Sequence, residues 1–200
     1  MYYLHLNEET ELFFDICYSE ILSIIPSDYM PAMENNMTQI EIDYQFMQRA
    51  IELAGNAGVE GEVPVGAVIV LHNIVIGEGW NRLIGQHDAT AHAEMIALRH
   101  AGRTLENYRL LDAVLYVTLE PCPMCACAMV HSRIKKVVYG TPDTKTGAAG
   151  SIMNLFNYEG VNHHVAFQGG VMKKECREQI QAFFRRRRAE KIEKKHIKLP

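Results

Sequence analysis

The chain lacks any run of apolar residues long enough to span a membrane. Its first 48 residues contain no lysine or arginine, which argues against a secretory signal and against an arginine-rich transit peptide. Cysteine is scarce as well: the 200 residues contain five, an odd number, and three of them fall within six positions. A disulfide framework spaces its cysteines along the chain, so this pattern favours metal chemistry in a reducing, cytoplasmic compartment.

The formal net charge of -4 hides a strong separation of charge along the chain. Residues 1–36 hold seven acidic side chains, whereas the segment from Lys173 onward holds eleven lysines and arginines against four glutamates. The basic segment predicts a polyanionic partner, and the alternative is a solvated helix face. We divide the chain into an acidic N-terminal extension of unknown role, residues 1–36, and a main domain, residues 37–200.

Hydrophobic spacing predicts that helices and strands alternate through the main domain. It indicates helices at 40–57, 92–100, 122–132 and 173–193, a hairpin over 63–80, further strands at 113–118, 136–139 and 164–167, loops at 81–90 and 141–151, and a short helix after residue 151. Strands that alternate with helices are typical of an α/β sandwich with a central, buried sheet.

Two short stretches offer the ligands of a metal site. Ala91-His92-Ala93-Glu94 supplies an imidazole and a carboxyl group, and Pro121-Cys122-Pro123-Met124-Cys125 supplies two thiols. Three nitrogen and sulfur ligands suit a catalytic zinc ion that keeps its fourth position for water, whereas a structural zinc site uses four. Glu94 is then a proton shuttle and not a ligand.

The spacing of these residues is compatible with one shared cleft. His92 and Glu94 lie two positions apart, so they face the same side only where the chain enters a helix. Cys122 and Cys125 lie three apart and share a face of the first helical turn, where the helix dipole favours thiolates. Cys127 is the alternative fourth ligand, but we expect it to point away from the metal and to be a small core residue.

The combination of H-x-E with P-C-x-x-C is the established signature of the zinc nucleobase deaminases. The chain resembles them, and it is most similar to the tRNA-specific adenosine deaminases from about residue 40 to about residue 188. The similar stretches are 62–68, 77–82, 87–94, 116–122, 131–134 and 145–151. The resemblance implies a three-layer α-β-α, cytidine-deaminase-like fold with a central mixed five-stranded sheet. It also implies a homodimer with one zinc ion (Zn2+) per subunit, held by His92, Cys122 and Cys125.

The resemblance also implies a reaction, the hydrolytic deamination of adenosine to inosine at the wobble position of a tRNA anticodon loop. Glu94 is then the catalytic residue that carries a proton from water to ring N1. The resemblance implies that Asn81 hydrogen-bonds the target nucleotide, and the alternative is an ordinary turn residue after Trp80. His87 belongs either to the substrate loop or to the plain surface.

Contacts with RNA phosphates are expected from basic side chains near the cleft. The candidates are Lys145 and the run Arg185, Arg186, Arg187 and Arg188, for which a solvated helix face is the alternative. Asp143 cannot attract phosphate, so we expect it to orient its loop or to contact a 2′-hydroxyl group. Phe183 and Phe184 are predicted to anchor the last helix to the core, and the alternative is that they stack on a base.

Two other functions are compatible with the same signature. A deaminase of free bases or nucleosides, such as guanine or cytosine, shares the zinc site but does not need the basic last helix. A non-catalytic, zinc-stabilised RNA-binding module keeps the fold but has no use for Glu94.

Overall fold

The structure is a computed structural model that describes residues 37–197, with side chains up to residue 193. Residues 1–36 lie outside this range, so their assignment as a separate acidic extension stays a prediction. Within the described part of the chain, no helix combines the length and the apolar character needed to cross a membrane.

The described residues contain five helices and five strands. The helices are α1 (Gln39–Val59), α2 (Leu83–Gln86), α3 (Ala93–Thr104), α4 (Pro123–His131) and α5 (Lys173–Ile197). The strands are β1 (Gly66–Leu71), β2 (Ile74–Trp80), β3 (Val114–Leu119), β4 (Lys136–Thr141) and β5 (Ala166–Gly169). Two expectations are wrong: the predicted loop at 81–90 contains α2, and turns replace the short helix expected after residue 151.

The five strands form one mixed sheet in the order β2-β1-β3-β4-β5. Strand β1 pairs antiparallel with β2 and with β3, whereas β3, β4 and β5 run parallel to one another. The parallel strands β3 and β4 therefore end at the same edge of the sheet. The cysteine motif follows β3 directly, and the loop after β4 starts beside it.

Alternating side chains of the central strands enter two separate apolar clusters. One cluster contains Ala67, Ile69, Leu115, Val117 and Val137 of the sheet, together with residues of α3 and α4. The other contains Val68, Val70, Tyr116 and Val138, together with residues of α1 and α5. Because both faces of the sheet are covered, its central strands are mostly apolar. The result is the expected three-layer α-β-α arrangement.

Gly79 in β2 allows α3 to lie directly against the sheet. A Cβ atom at this position would lie 2.6 Å from the backbone nitrogen of Ala97 and would overlap the carbonyl oxygen of Ala93. Glycine, which has no Cβ, is therefore the residue that permits this approach. The close contact fixes the first turn of α3, which carries Glu94, relative to β1 and β2.

Candidate active site

His92, Cys122 and Cys125 converge from the N-terminal ends of two helices. His92 immediately precedes α3, Cys122 immediately precedes α4, and Cys125 lies in the first turn of α4. Pro123 begins α4, where the missing N–H costs little because first-turn donors have no partner within the helix. The local sequence thus starts each helix at a residue with a metal-binding side chain.

The spacing of the three donor atoms fits a zinc ion. Nδ1 of His92 lies 3.7 Å from Sγ of Cys122 and 3.6 Å from Sγ of Cys125. Tetrahedral zinc, with bonds of about 2.0 Å to nitrogen and about 2.3 Å to sulfur, holds such atoms about 3.6 Å apart. Among the described residues, no other set of three histidine, cysteine or acidic side chains comes together in this way.

The two thiols perturb each other strongly. A hydrogen bond from Cys125, together with one from His92, lowers the pKa of Cys122 to about 4 in spite of burial. The same hydrogen bond to Cys122, together with burial, raises the pKa of Cys125. A thiolate at the start of α4 is also favoured by the helix dipole, which makes this end of the helix a suitable place for a cation bound through sulfur.

Glu94 lies beside this cluster without belonging to it. It is in the first turn of α3, only 4% exposed, and lines the same cleft as His92 and Cys122. Burial raises the pKa of Glu94 to about 7, against the opposing effects of a backbone N–H and of His92. A carboxyl group with such a pKa both accepts and releases a proton near neutral pH.

A cleft of about 480 Å3 contains these groups, which is within the usual size of a small-ligand site. Its lining combines His92 and Cys122 of the metal cluster and Glu94 with apolar side chains and with residues of the last helix. Besides His92, Cys122 and Glu94, the lining includes Val63, Val65, Asn81, Ile84, Leu119, Asp143, Thr146, Phe183, Phe184 and Arg187. Apolar walls combined with groups that form hydrogen bonds suit a flat heterocyclic base.

Asn81 connects the wall of the cleft to the start of α3. Its side-chain oxygen accepts the N–H of Ala93 at 3.0 Å, and its NH2 group donates to the carbonyl oxygen of Val63 at 3.1 Å. The NH2 group has a second hydrogen, which neither bond uses. Asn81 is therefore both a structural link and a polar group at the cleft, and its contact with substrate stays a prediction.

The other predicted substrate residues lie in three different places. Asp143 and Arg187 line the cleft, whereas Lys145 lines an adjacent groove with Arg185 and Arg188. Phe184 lines both the cleft and this groove, which we call the basic groove. His87 ends α2 in a left-handed backbone conformation, is exposed and is not among the residues that line the cleft.

The prediction of Cys127 as a small core residue is wrong, because Cys127 is exposed. It does lie off the metal cluster, but that side of α4 is not packed against the sheet. The prediction that Phe183 and Phe184 anchor the last helix is confirmed for Phe183 alone. Phe183 is buried, whereas Phe184 is 43% exposed.

Two buried carboxylates that line the cleft, Glu62 and Glu120, were not predicted from the sequence. Oε1 of Glu62 accepts the N–H groups of Ile84 and Gly85 at 2.7 and 2.8 Å and so holds α2 against the cleft. Glu120 binds the loop that follows β4 in a similar way. The available signal was an acid beside an apolar stretch, just before the predicted hairpin at 63–80 and just after β3.

The chain is similar to known proteins over most of the described domain. The profile of the cytidine and deoxycytidylate deaminase zinc-binding region matches residues 40–141. A tRNA-specific adenosine deaminase from Haemophilus influenzae is 50% identical over 169 residues, which are 83% of this chain and 97% of the relative. One from Bacillus subtilis is 44% identical over 155 residues, which are 78% and 94% of the two chains.

The fold has a solved counterpart as well. A structure from a study of A-to-I editing by tRNA:A34 deaminases at the wobble position of transfer RNA aligns with a TM-score of 0.66 and 41% identity. The alignment covers 68% of this chain and 98% of that one, and it confirms the expected cytidine-deaminase-like fold. The chain therefore belongs to the zinc-dependent cytidine and deoxycytidylate deaminase family, in the group of the tRNA-specific adenosine deaminases.

Proposed function

We propose that this protein hydrolyses adenosine to inosine, with release of ammonia, at the wobble position of a tRNA anticodon loop. One observation carries the proposal: a His-Cys-Cys cluster spaced for zinc, a buried carboxyl group that is not a ligand, and basic side chains all adjoin one cleft. The relatives named tRNA-specific adenosine deaminase and the solved counterpart from the wobble-editing study support this substrate.

His92, Cys122 and Cys125 are the residues that hold the metal. Zinc bound there lowers the pKa of water enough for water to act as a nucleophile at neutral pH. Because the two ligand-bearing helices pack on the same face of the sheet, the core holds their N-terminal ends in place.

Glu94 moves the protons of the reaction. Its carboxylate takes one from the attacking water and delivers it to ring N1 of adenine, and it then assists the departure of ammonia. The water oxygen becomes O6 of inosine, and the bond that breaks joins C6 to the exocyclic nitrogen. Burial, which raises the pKa of Glu94 to about 7, makes both the uptake and the release of a proton accessible at neutral pH.

The cleft binds the target base through apolar walls and one amide. Val63, Leu119 and Phe183 provide apolar surface, and the unused N–H of Asn81 is available to the base. An anticodon loop already presents bases outside a duplex, so little pairing energy has to be spent to insert one.

The basic groove and Arg187 provide the contacts with RNA phosphates. Lys145, Arg185 and Arg188 line the groove, and the exposed ring of Phe184 lies between it and the cleft. Of the four consecutive arginines, Arg186 has a different role, because it donates to the carbonyl oxygen of Gly58 at 3.0 Å and so attaches α5 to α1. The run is therefore not only a solvated helix face.

Asp143 forms hydrogen bonds within its own loop. Its carboxylate accepts the N–H groups of Lys145 and Thr146 and the hydroxyl of Thr146. Burial alone would raise the pKa of Asp143, but these hydrogen bonds outweigh burial and lower it. We assign Asp143 to loop orientation and leave a 2′-hydroxyl as a further partner. His87, which is exposed outside the cleft, is the weakest candidate for a contact with RNA.

We also propose a homodimer and a cytoplasmic location. Exposed apolar side chains, including Tyr108, Ile152, Met153 and Tyr158, supply surface for a contact between subunits. Sedimentation equilibrium of the purified chain tests the dimer. The odd number of cysteines, with two of them in the metal cluster, supports a reducing compartment.

Purified protein assayed on defined substrates tests the proposed function. We expect inosine and ammonia from a tRNA transcript with adenosine at the wobble position and none from the matched transcript with guanosine there. Free adenosine, guanine and cytosine are the comparison substrates. Turnover of a free base in preference to the transcript would favour a deaminase of small substrates. Binding of tRNA without turnover would favour a non-catalytic module.

A further inference from the structure

We propose that Glu120 is a positioning residue that clamps the loop of residues 142–151, called here the cleft loop, so that the RNA-facing wall of the site is formed before substrate arrives. Glu120 acts through this loop and not on the reacting atoms. The inference rests on the proposed function only in so far as the cleft loop contacts RNA.

Glu120 lies beside the ends of two neighbouring strands, β3 and β4. It follows β3 and precedes the ligand Cys122 by two positions, and its own N–H donates to the carbonyl oxygen of Thr141 at 2.9 Å. Thr141 is the last residue of β4, after which the cleft loop begins. The side chain of Glu120 is only 2% exposed. It is therefore placed between the zinc-binding helix and the loop.

Both carboxylate oxygens of Glu120 are fully used by the cleft loop. Oε1 accepts the N–H groups of Ala149 and Ser151, each at 3.0 Å. Oε2 accepts the N–H of Asp143 at 3.0 Å and the hydroxyl of Ser151. A carboxylate offers about four acceptor positions, and here the two ends of a single loop fill them. One side chain thus joins the start of the loop to its end.

The loop is folded tightly around this carboxylate. A Cβ atom at Gly147 would lie 2.5 Å from Oε2 of Glu120 and 2.5 Å from the carbonyl oxygen of Asp143. The N–H of Ala148 also donates to the carbonyl oxygen of Pro121 at 2.9 Å. The cleft loop and the cysteine motif therefore share their anchoring residues, Glu120 and Pro121.

The clamped loop presents the side chains that adjoin the base and the phosphates. Asp143 and Thr146 line the cleft, and Lys145 lines the basic groove. A loop ordered in advance spares the cost of ordering it on binding, which would otherwise reduce affinity. The cleft loop contains neither a zinc ligand nor Glu94. Loss of the clamp should therefore weaken RNA binding and leave the chemical step largely intact.

The variant Glu120→Gln tests this directly. An amide has one acceptor oxygen, and its NH2 group would face N–H and O–H donors of the loop. We expect hydrogen exchange to accelerate at the amides of Asp143, Ala149 and Ser151 while the amides of α4 keep their protection. For an anticodon stem-loop we expect KM to rise about tenfold, with kcat within about threefold of the wild type. Zinc content should be unchanged.

Asp43→Asn is the matched control, since Asp43 is also a buried carboxylate. It lies on the other face of the sheet, where it accepts the Tyr116 hydroxyl at 2.9 Å and the Gln39 amide at 2.8 Å. It should lower the melting temperature without changing exchange in the cleft loop or KM. An equal rise of KM in this control would reduce the effect of Glu120 to general stability and overturn the proposal.

Ser151→Ala is the second variant, and it decides the matter if Glu120→Gln does not fold. It removes one of four donors, so exchange in the cleft loop should accelerate and KM should rise about threefold. Unchanged protection of the loop in both variants, or a loss confined to kcat, would contradict the clamp. The exchange measurement uses no RNA, so it judges the clamp even if the wild-type protein fails to deaminate the stem-loop, which would contradict the proposed function alone.

Discussion

Nδ1 of His92 lies 3.6 Å from Sγ of Cys125, although the two residues are 33 positions apart and belong to the starts of different helices. The sheet produces this meeting. Helix α3 is pressed onto it at Gly79, and α4 follows β3 after a short turn. A metal ion at this point would bind two separately anchored helices, so its contribution is structural as well as chemical.

Removal of zinc is therefore expected to abolish turnover and to lower thermal stability. Because a ligand that binds only the folded chain stabilises it by mass action, a hundredfold excess over Kd contributes about 2.7 kcal/mol. Dialysis against a chelator should reduce the melting temperature by several degrees. Addition of stoichiometric zinc should restore both the original melting temperature and the activity. Calorimetry and metal analysis measure this. An apo-protein that melts at the same temperature would contradict the link between the two helices.

Cys125 and Cys127 allow a matched test of the ligand set. Cys125 is buried in the cluster, whereas Cys127, two positions later on the same helix, is exposed. We expect Cys125→Ser to lose zinc and activity together and Cys127→Ser to keep one zinc ion per chain with wild-type turnover. Loss of zinc in the second variant would indicate a closed, four-ligand site and exclude the catalytic assignment.

The residues of the metal cluster were predictable from the sequence because residue type and spacing indicate a metal site. His92 and Cys122 immediately precede two helices and Cys125 lies in the first turn of the second, and no simpler explanation accounts for all three at once. The layered fold was predictable for a similar reason, since valine-rich strands alternate with amphipathic segments. These sequence patterns are local, and the sheet then places the segments that carry them next to one another.

What the sequence did not reveal depends on long-range packing. Glu120 resembles an ordinary acid before a proline, and its partners Asp143 and Ser151 lie 23 and 31 positions away. Cys127 was misplaced because a small, apolar residue on a short helix does not show which of its sides meets the sheet. Whether Phe184 or Phe183 is buried depends on the rotation of α5, which adjacent identical residues cannot specify.

Glu94 is expected to be essential for turnover and dispensable for binding. The variant Glu94→Ala, and the isosteric Glu94→Gln, should retain zinc and bind tRNA with wild-type affinity. Loss of a general acid-base group typically lowers the rate about 10²–10⁴-fold, so kcat should fall by at least about 10²-fold. Single-turnover assays with zinc analysis provide the measurement, and Glu106→Gln, at an exposed position just after α3, is the control. Retained turnover in either Glu94 variant would refute the proton-shuttle role.

Arg187 is expected to contribute to RNA affinity through phosphate, because its side chain reaches the cleft from α5. Arg187→Ala should weaken binding of an anticodon stem-loop in low salt and reduce the slope of log K against log salt by about 1. Fluorescence anisotropy over a salt series measures both quantities.

Lys135→Ala is the matched control for this charge. Lys135 pairs with Asp112 at 2.9 Å and immediately precedes β4, so it lies at the sheet edge opposite the carboxyl ends that carry the cleft. Loss of such an exposed ion pair costs at most about 1 kcal/mol of stability. It should leave both the affinity and the salt slope unchanged. If the two variants shifted the slope equally, the effect would come from net charge alone, and the last helix would have no specific position on the RNA.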